Sequence, residues 1–152
     1  MAVFQDPPLV VDGIDQLARL VDATVAVQPD ELAALAEAST IVLTGPMAHA
    51  VALARQVPDL GPAVVVEVDV ERGAFVDPAP FDDLASLGIA AGAHLVGEPS
   101  TDQDAIGWEI GAVTWLIDNG VRTVRGVAPR RLRRLVAVAR ALDDALEPVA
   151  GP

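Results

Sequence analysis

The chain has 152 residues, no cysteine and a formal net charge of −12. Because cysteine is absent and every basic residue is arginine, disulfides, thiolate metal sites, Schiff-base chemistry and a lysine-containing phosphate loop are excluded. The acidic balance argues against nucleic-acid binding. No apolar run reaches the ~18 residues that span a bilayer, and the N-terminus lacks the features of a signal peptide. We therefore expect a cytoplasmic, single-domain protein, residues 1–152, with loose termini at about 1–7 and 147–152.

Short runs of β-branched residues alternate with alanine- and leucine-rich stretches, which is typical of successive strand–helix units. No short hairpin turn joins two strands, so we expect a parallel sheet. Strands are predicted at 8–11, 20–25, 40–43, 63–70, 94–97 and 121–127. Helices are predicted at 29–38, 47–56, 80–91, 101–118 and 129–146, with Thr101 and Asp104 as a capping box.

The strand AVVVEVDV, 63–70, carries charge on one face only. Its alternation predicts four valines on one face and Val65, Glu67 and Asp69 on the other. Ligands bind beyond the C-terminal ends of parallel strands, so the acidic face is either solvated or a polar pocket with Asp69 nearest its mouth. A cation held by Glu67, Asp69 and Glu71 is disfavoured, because such a site needs oxygens from different strands.

Six of the ten arginines lie within 118–134. Arg125 is predicted near the C-terminal end of the last strand, and four more (Arg130, Arg131, Arg133 and Arg134) lie off the apolar stripe of the last helix. Cations at a helix N-terminus oppose the helix dipole, whereas a bound anion would reverse the effect. The arginines therefore either bind an anion or pair with some of the acidic residues.

The histidines and tryptophans carry weaker signals. His49 has two interpretations: a ligand or general base near the C-terminal ends of the strands, or an ordinary surface residue. His94 is predicted at the N-terminal end of a strand and is therefore assigned no chemical role. Trp108 and Trp115 lie seven residues apart on one helix, which indicates packing in the core or at an interface. No metal is expected.

Four stretches occur in an order that resembles dihydropteroate synthases and related pterin-binding barrels. They are ARLVDATVAVQPDELAALAEASTIVLTGP, VEVDVERGAFVDPAPFDDLASLG, AHLVGEPS and GAVTWLIDNGVRTVRGVAP. The resemblance covers about residues 18–146 and implies the C-terminal two-thirds of a TIM barrel. The expected fold is therefore α/β, a partial TIM-barrel-like parallel sheet of about five to six strands with alternating helices.

The resemblance implies ligand-binding roles for some residues and the loss of others. Asp22 matches the aspartate of the family's Asn-Asp pair, Asp69 and Gly73 match its pterin-binding loop, and Arg125 matches the arginine of its Arg-Val-His motif. Val76 stands where that loop has a lysine. The family's Ser-Arg-Lys is Pro-Ser-Thr at 99–101, and its histidine is lost at 127.

The resemblance implies a scaffold whose chemistry has eroded. We expect a non-catalytic dihydropteroate-synthase-like protein, either a remnant site for a pterin or phosphate-bearing small molecule at Asp22, Asp69, Gly73, Arg125 and Arg130, or a protein-interaction module. The alternative is a shortened pterin-dependent transferase acting on pterin diphosphate, completed by a partner subunit. A third reading is an accessory subunit covered by another protein.

The length also predicts a partner. A full barrel of this type needs about 250 residues, so a partial one leaves sheet edges and an apolar inner face uncovered. We expect a homodimer or a complex with another protein, and neither nucleic acid nor membrane as a partner. No cofactor and no catalytic residue are expected.

Overall fold

A computed structural model describes residues 8–11 and 17–146 of the chain. Six strands alternate with five α-helices. The strands are β1 (Leu9–Val11), β2 (Ala18–Asp22), β3 (Thr40–Thr44), β4 (Val64–Glu71), β5 (Ala90–Val96) and β6 (Thr123–Gly126). The helices are α1 (Pro29–Ala36), α2 (Met47–Arg55), α3 (Ala79–Ser86), α4 (Gln103–Asp118) and α5 (Pro129–Leu146), with a short 3-10 segment, Pro58–Ala63, before β4.

All six strands are parallel and form one curled half-barrel sheet, which confirms the predicted fold class. Their order is β1-β6-β5-β4-β3-β2, so the first two strands of the chain lie at opposite edges. Val11 of β1 and Ala18 of β2 belong to one apolar cluster with Val42 of β3. The curl therefore brings both edges toward each other across the lower part of the concave face, although no ladder joins them in the described residues.

The helices cover the convex face of the sheet and form the main core with it. The four valines of β4 that the alternation assigned to one face (Val64, Val66, Val68 and Val70) lie in this core, as predicted. Fully buried leucines from α1, α3, α4 and α5 belong to the same core: Leu32, Leu84, Leu116 and Leu132. Burying such a side chain contributes about 1.5–3 kcal/mol, so this layer holds the sheet in its curled shape.

All of the predicted strands and helices are present, and the differences are at element ends. The helix predicted over 80–91 is wrong at its C-terminus, because α3 ends at Ser86. Gly88 has φ +69°, and its N–H donates to the carbonyl of Ala85 while that of Ile89 donates to Leu84, a glycine-dependent helix stop. Residues 90–93 are consequently free to extend β5 at its start.

Two further boundaries differ for local reasons. The N-cap of α4 is Asp102 and not Thr101, since its carboxylate accepts from the N–H of Asp104. Strand β2 begins at Ala18 and ends at Asp22, because the Asp22 carboxylate accepts from the N–H of Thr24 and turns the chain there.

None of the helices in the described part of the chain combines the length and the apolar composition that a membrane crossing requires. The predicted loose termini, 1–7 and 147–152, lie outside the described residues.

Candidate functional site

The upper part of the concave face, near the C-terminal ends of the strands, carries a row of polar side chains. Asp69 of β4 is in register with His94 of β5, which is in register with Arg125 of β6. Glu67 lies two residues before Asp69 on the same face. The register row of Glu67 also holds Gly92 and Thr123. One row further down, Val65 and Val42 are fully buried. The concave face thus changes from apolar to polar toward the strand ends, where parallel barrels bind ligands.

Glu67 and Arg125 form a bidentate ion pair inside this row. The Arg125 Nε donates to Oε2 of Glu67 at 2.9 Å and Nη2 donates to Oε1 at 2.6 Å. The Glu67 side chain is 3% exposed and that of Arg125 is 26% exposed. Hydrogen bonding to Glu67 raises the pKa of the Arg125 guanidinium above its ordinary value. The arginine is therefore charged, and two of its three nitrogens already bind a protein carboxylate.

His94 belongs to the site, and its predicted position was wrong. It was placed at the N-terminal end of a strand, without chemistry, but β5 begins at Ala90 and His94 is its fifth residue. Its Nδ1 lies 3.1 Å from Oδ1 of Asp69 and 3.9 Å from Oε1 of Glu67. The sequence AAGA at 90–93 has weak strand propensity, and pairing with β4 overrides it.

Asp22, a predicted site residue, lies apart from the row. It ends β2, an edge strand two positions from β4 and four from β6. Its Oδ1 accepts from the Thr24 hydroxyl at 2.6 Å and from the Thr24 N–H at 2.9 Å. These two hydrogen bonds, the hydroxyl first, hold the pKa of Asp22 below its usual value. The aspartate closes a turn and is exposed.

Gly73 lies on the helix side of β4 and not in the polar row. It has φ +80° in the turn after the strand and lines a cleft of about 410 Å³ between this turn and α4. Every residue that lines the cleft is uncharged, and Phe75 at its rim is 91% exposed. Trp108 closes one wall, with its Nε1 donating to the carbonyl of Ala74 at 2.7 Å.

The predicted packing role of the tryptophans is confirmed. Trp108 and Trp115 both pack against the main core, and Trp115 meets Phe81 edge to face, with ring centroids 5.4 Å apart. Such aromatic pairs contribute about 0.5–1.5 kcal/mol beyond the burial of their area. The pair ties α4 to α3.

The arginines of α5 divide between the surface and a buried ion pair. Arg130 is exposed in the first turn. Arg131 turns inward, with its Nε donating to Oε2 of Glu109 at 2.9 Å and its Nη2 donating to the carbonyl of Ser100. Arg72, which follows β4, binds the other oxygen of Glu109. For Arg131 the pairing alternative is therefore correct.

Sequence reasoning missed Glu109, although a signal was present. It is a charged residue among Ile106, Ile110 and Val113, on a helix face that the pattern indicates as buried. Its side chain is 2% exposed. Buried carboxylates require partners, so the pattern predicts a cation beside it, but it does not say which arginines supply it.

Three side chains of the polar row could together hold a cation. One ligand atom each from Glu67, Asp69 and His94 lies within 4.8 Å of the others. The row also offers hydrogen-bond acceptors to an organic ligand at Asp69, whose side chain is 76% exposed. Donors would come from Arg125 and His94. This chemistry suits the binding of a polar ligand.

Comparisons of the chain with protein-family models, with characterised proteins and with solved structures found no match.

Proposed function

We propose that this chain is a non-catalytic, dihydropteroate-synthase-like binding protein. Its ligand would be a small planar molecule with hydrogen-bond donors, of the pterin kind, held at the polar row of Asp69, His94 and Arg125. The observation that carries the proposal is the in-register placement of these three residues at the C-terminal ends of adjacent strands. Asp69 is exposed enough to accept hydrogen bonds from a bound ligand.

The state of Arg125 favours binding over catalysis. In the family that the sequence resembles, the matching arginine helps to bind diphosphate. Here Nε and Nη2 of Arg125 are both bonded to Glu67, so a diphosphate would have to displace a charge-assisted bidentate pair. The lysines that the resemblance leads one to expect are absent from the whole chain. Preorganised positive charge for a departing diphosphate is therefore scarce.

The test is a thermal-shift titration of EDTA-treated protein with a pterin, with pterin diphosphate and with pyrophosphate. A ligand at 100 times its Kd stabilises the folded state by about 2.7 kcal/mol, which corresponds to a Tm increase of about 5–11 °C for a domain of this size. We expect a pterin to raise Tm in the wild type and to have no effect on Asp69→Asn.

The matched control is Asp59→Asn. This change removes the same charge at an exposed position before β4, at the opposite end of the strands. It should keep the ligand-induced shift. Equal shifts in Asp69→Asn and wild type, or no shift at millimolar ligand, would refute the proposal. Release of diphosphate from pterin diphosphate would instead support the alternative, a shortened transferase.

We also propose that the chain forms a homodimer through the uncharged cleft beside Phe75. A chain with net charge −12 repels its own copies, so self-association is favoured where charge is locally absent, as in this cleft. Light scattering should give twice the chain mass for wild type and for Val25→Ser, a control at another exposed apolar residue. Phe75→Ser should be monomeric; a monomeric wild type would contradict the proposal.

A further inference from the structure

We propose that Glu67, Asp69 and His94 bind a divalent transition-metal ion of the zinc kind on the concave face of the sheet. The three side chains come from two neighbouring strands, since Asp69 and His94 are in register and Glu67 precedes Asp69 by two residues. They combine one imidazole with two carboxylates. The metal site shares Asp69 and His94 with the proposed pterin site, but it does not depend on that proposal, because it is tested with metal ions alone.

The distances between the ligand atoms suit a single ion. Zinc lies about 2.0–2.1 Å from histidine nitrogens and about 2.0–2.2 Å from carboxylate oxygens, so two atoms bound to one ion are separated by at most about 4.4 Å. His94 Nδ1 lies 3.1 Å from Oδ1 of Asp69 and 3.9 Å from Oε1 of Glu67. The third separation is within 4.8 Å, and the exposed Asp69 carboxylate can rotate to close it.

The ligand types select the class of metal. Magnesium and calcium prefer oxygen ligands, whereas an imidazole nitrogen beside carboxylates suits zinc and its first-row neighbours. Arg125 supports the site through Glu67. It fixes the orientation of the Glu67 carboxylate by two hydrogen bonds, and a carboxylate has about four lone-pair positions, so it can accept these bonds and still bind a metal.

A second, independent observation is the buried hydroxyl of Thr123. Thr123 lies on β6 in register with Gly92, which is in register with Glu67. Its Oγ1 extends over Gly92, because a Cβ built on that glycine would approach it to 2.2 Å. Within the described residues, this hydroxyl has no hydrogen-bond partner.

A partner for this hydroxyl must come from outside the described side chains. An unpaired buried hydroxyl is costly, and three protein ligands leave a fourth tetrahedral position for water. A water molecule on the ion, next to Glu67, would supply the missing partner. The unpaired hydroxyl of Thr123 and the three ligand atoms lie on the same face of neighbouring strands, so one hydrated ion would account for both.

The experiment is a titration of EDTA-treated full-length protein with Co²⁺, followed by visible absorption and then by displacement with Zn²⁺. We expect one Co²⁺ per chain with the absorption of a four- or five-coordinate site, displaced by Zn²⁺ and not by Mg²⁺. His94→Gln and Asp69→Asn should each weaken Co²⁺ binding at least about ten-fold. Even residues that only hydrogen-bond to metal ligands typically change affinity by about ten-fold or more when replaced. Circular dichroism should show both variants folded, because neither side chain is fully buried.

The matched control is His49→Gln, which removes the other histidine, exposed on α2. Its Co²⁺ affinity should equal that of the wild type. Absence of the absorption band, binding retained in His94→Gln and Asp69→Asn, or equal loss in His49→Gln would each overturn the proposal. Failure of the pterin titration would leave this result unaffected.

Discussion

Replacing Arg125 by leucine should destabilise the protein strongly, because it leaves a buried carboxylate without its partner. Glu67 is the more buried member of the pair, 3% against 26% exposed. Breaking a buried ion pair costs about 3–5 kcal/mol, and the partial exposure of Arg125 places the expected loss at the lower end, about 3 kcal/mol. For a chain of this length that lowers Tm by about 6–12 °C.

The reciprocal change should cost less. In Glu67→Leu the guanidinium loses its acceptor but can turn toward the mouth of the sheet, since a quarter of its side chain is already exposed. We expect a loss of about 1–2 kcal/mol. In the double variant no buried charge is left unpaired, so it should be more stable than Arg125→Leu alone.

The assay is urea unfolding followed by circular dichroism for the wild type, the two single variants and the double variant. All are measured at one protein concentration, because association would make stability concentration-dependent. The exposed Arg55→Leu serves as control and should change stability by less than about 0.5 kcal/mol. The ion pair would be refuted as a stabilising contact if Arg125→Leu behaved like this control, or if the double variant lost as much stability as the two single variants combined.

Three further predictions concern single contacts. Gly92→Ala should lower stability by about 1–3 kcal/mol, because the new Cβ would lie 2.2 Å from the Thr123 hydroxyl. Gly107→Ala, whose Cβ would meet nothing within 4 Å, should raise stability by about 0.4–1 kcal/mol. Thermal unfolding should therefore show a lower Tm for the first variant and a higher Tm for the second. Thr24→Ala should raise the pKa of Asp22 toward its usual value in an NMR titration. The lowered pKa stabilises the folded state at pH values above the unfolded-state pKa, and this stabilisation is lost as pH falls through the folded-state pKa, so it should be smaller in the variant. An unchanged titration would contradict the assigned hydrogen bonds. Glu109→Leu should cost about 3–5 kcal/mol in urea unfolding, because the side chain of Arg72, only 9% exposed, loses its carboxylate partner. A loss below about 1 kcal/mol would show that this arginine reaches solvent.

The strand alternation was the part of the sequence that predicted most. In β4 it assigned the valines to the core and Glu67 and Asp69 to the other face, and the structure confirms both faces. Alternation works here because helices cover only one side of the sheet. The same rule failed at β5, whose alanines and glycine resemble the end of a helix, and so His94 was misplaced.

The partners of the charged residues could not be read from the sequence. Glu67 and Arg125 lie 58 residues apart, and only the order of the strands brings them together, with β5 between them. That order includes the insertion of β6 between β5 and β1, which no local pattern encodes. Gly92 provides the space beside the pair, but a glycine in a strand is compatible with several explanations.

The pairing of β1 with β6 has a consequence for how the protein folds. Leu9 pairs with Thr123, so almost the whole described chain lies between two residues that are neighbours in the sheet. Each other pair of neighbouring strands is consecutive in the sequence, and its loop can close early at low entropic cost. A ribosome must therefore release β6 before β1 has its partner. We expect β2 to β6 to assemble first and β1 to dock in a slower final phase, as is typical of contacts with high sequence separation.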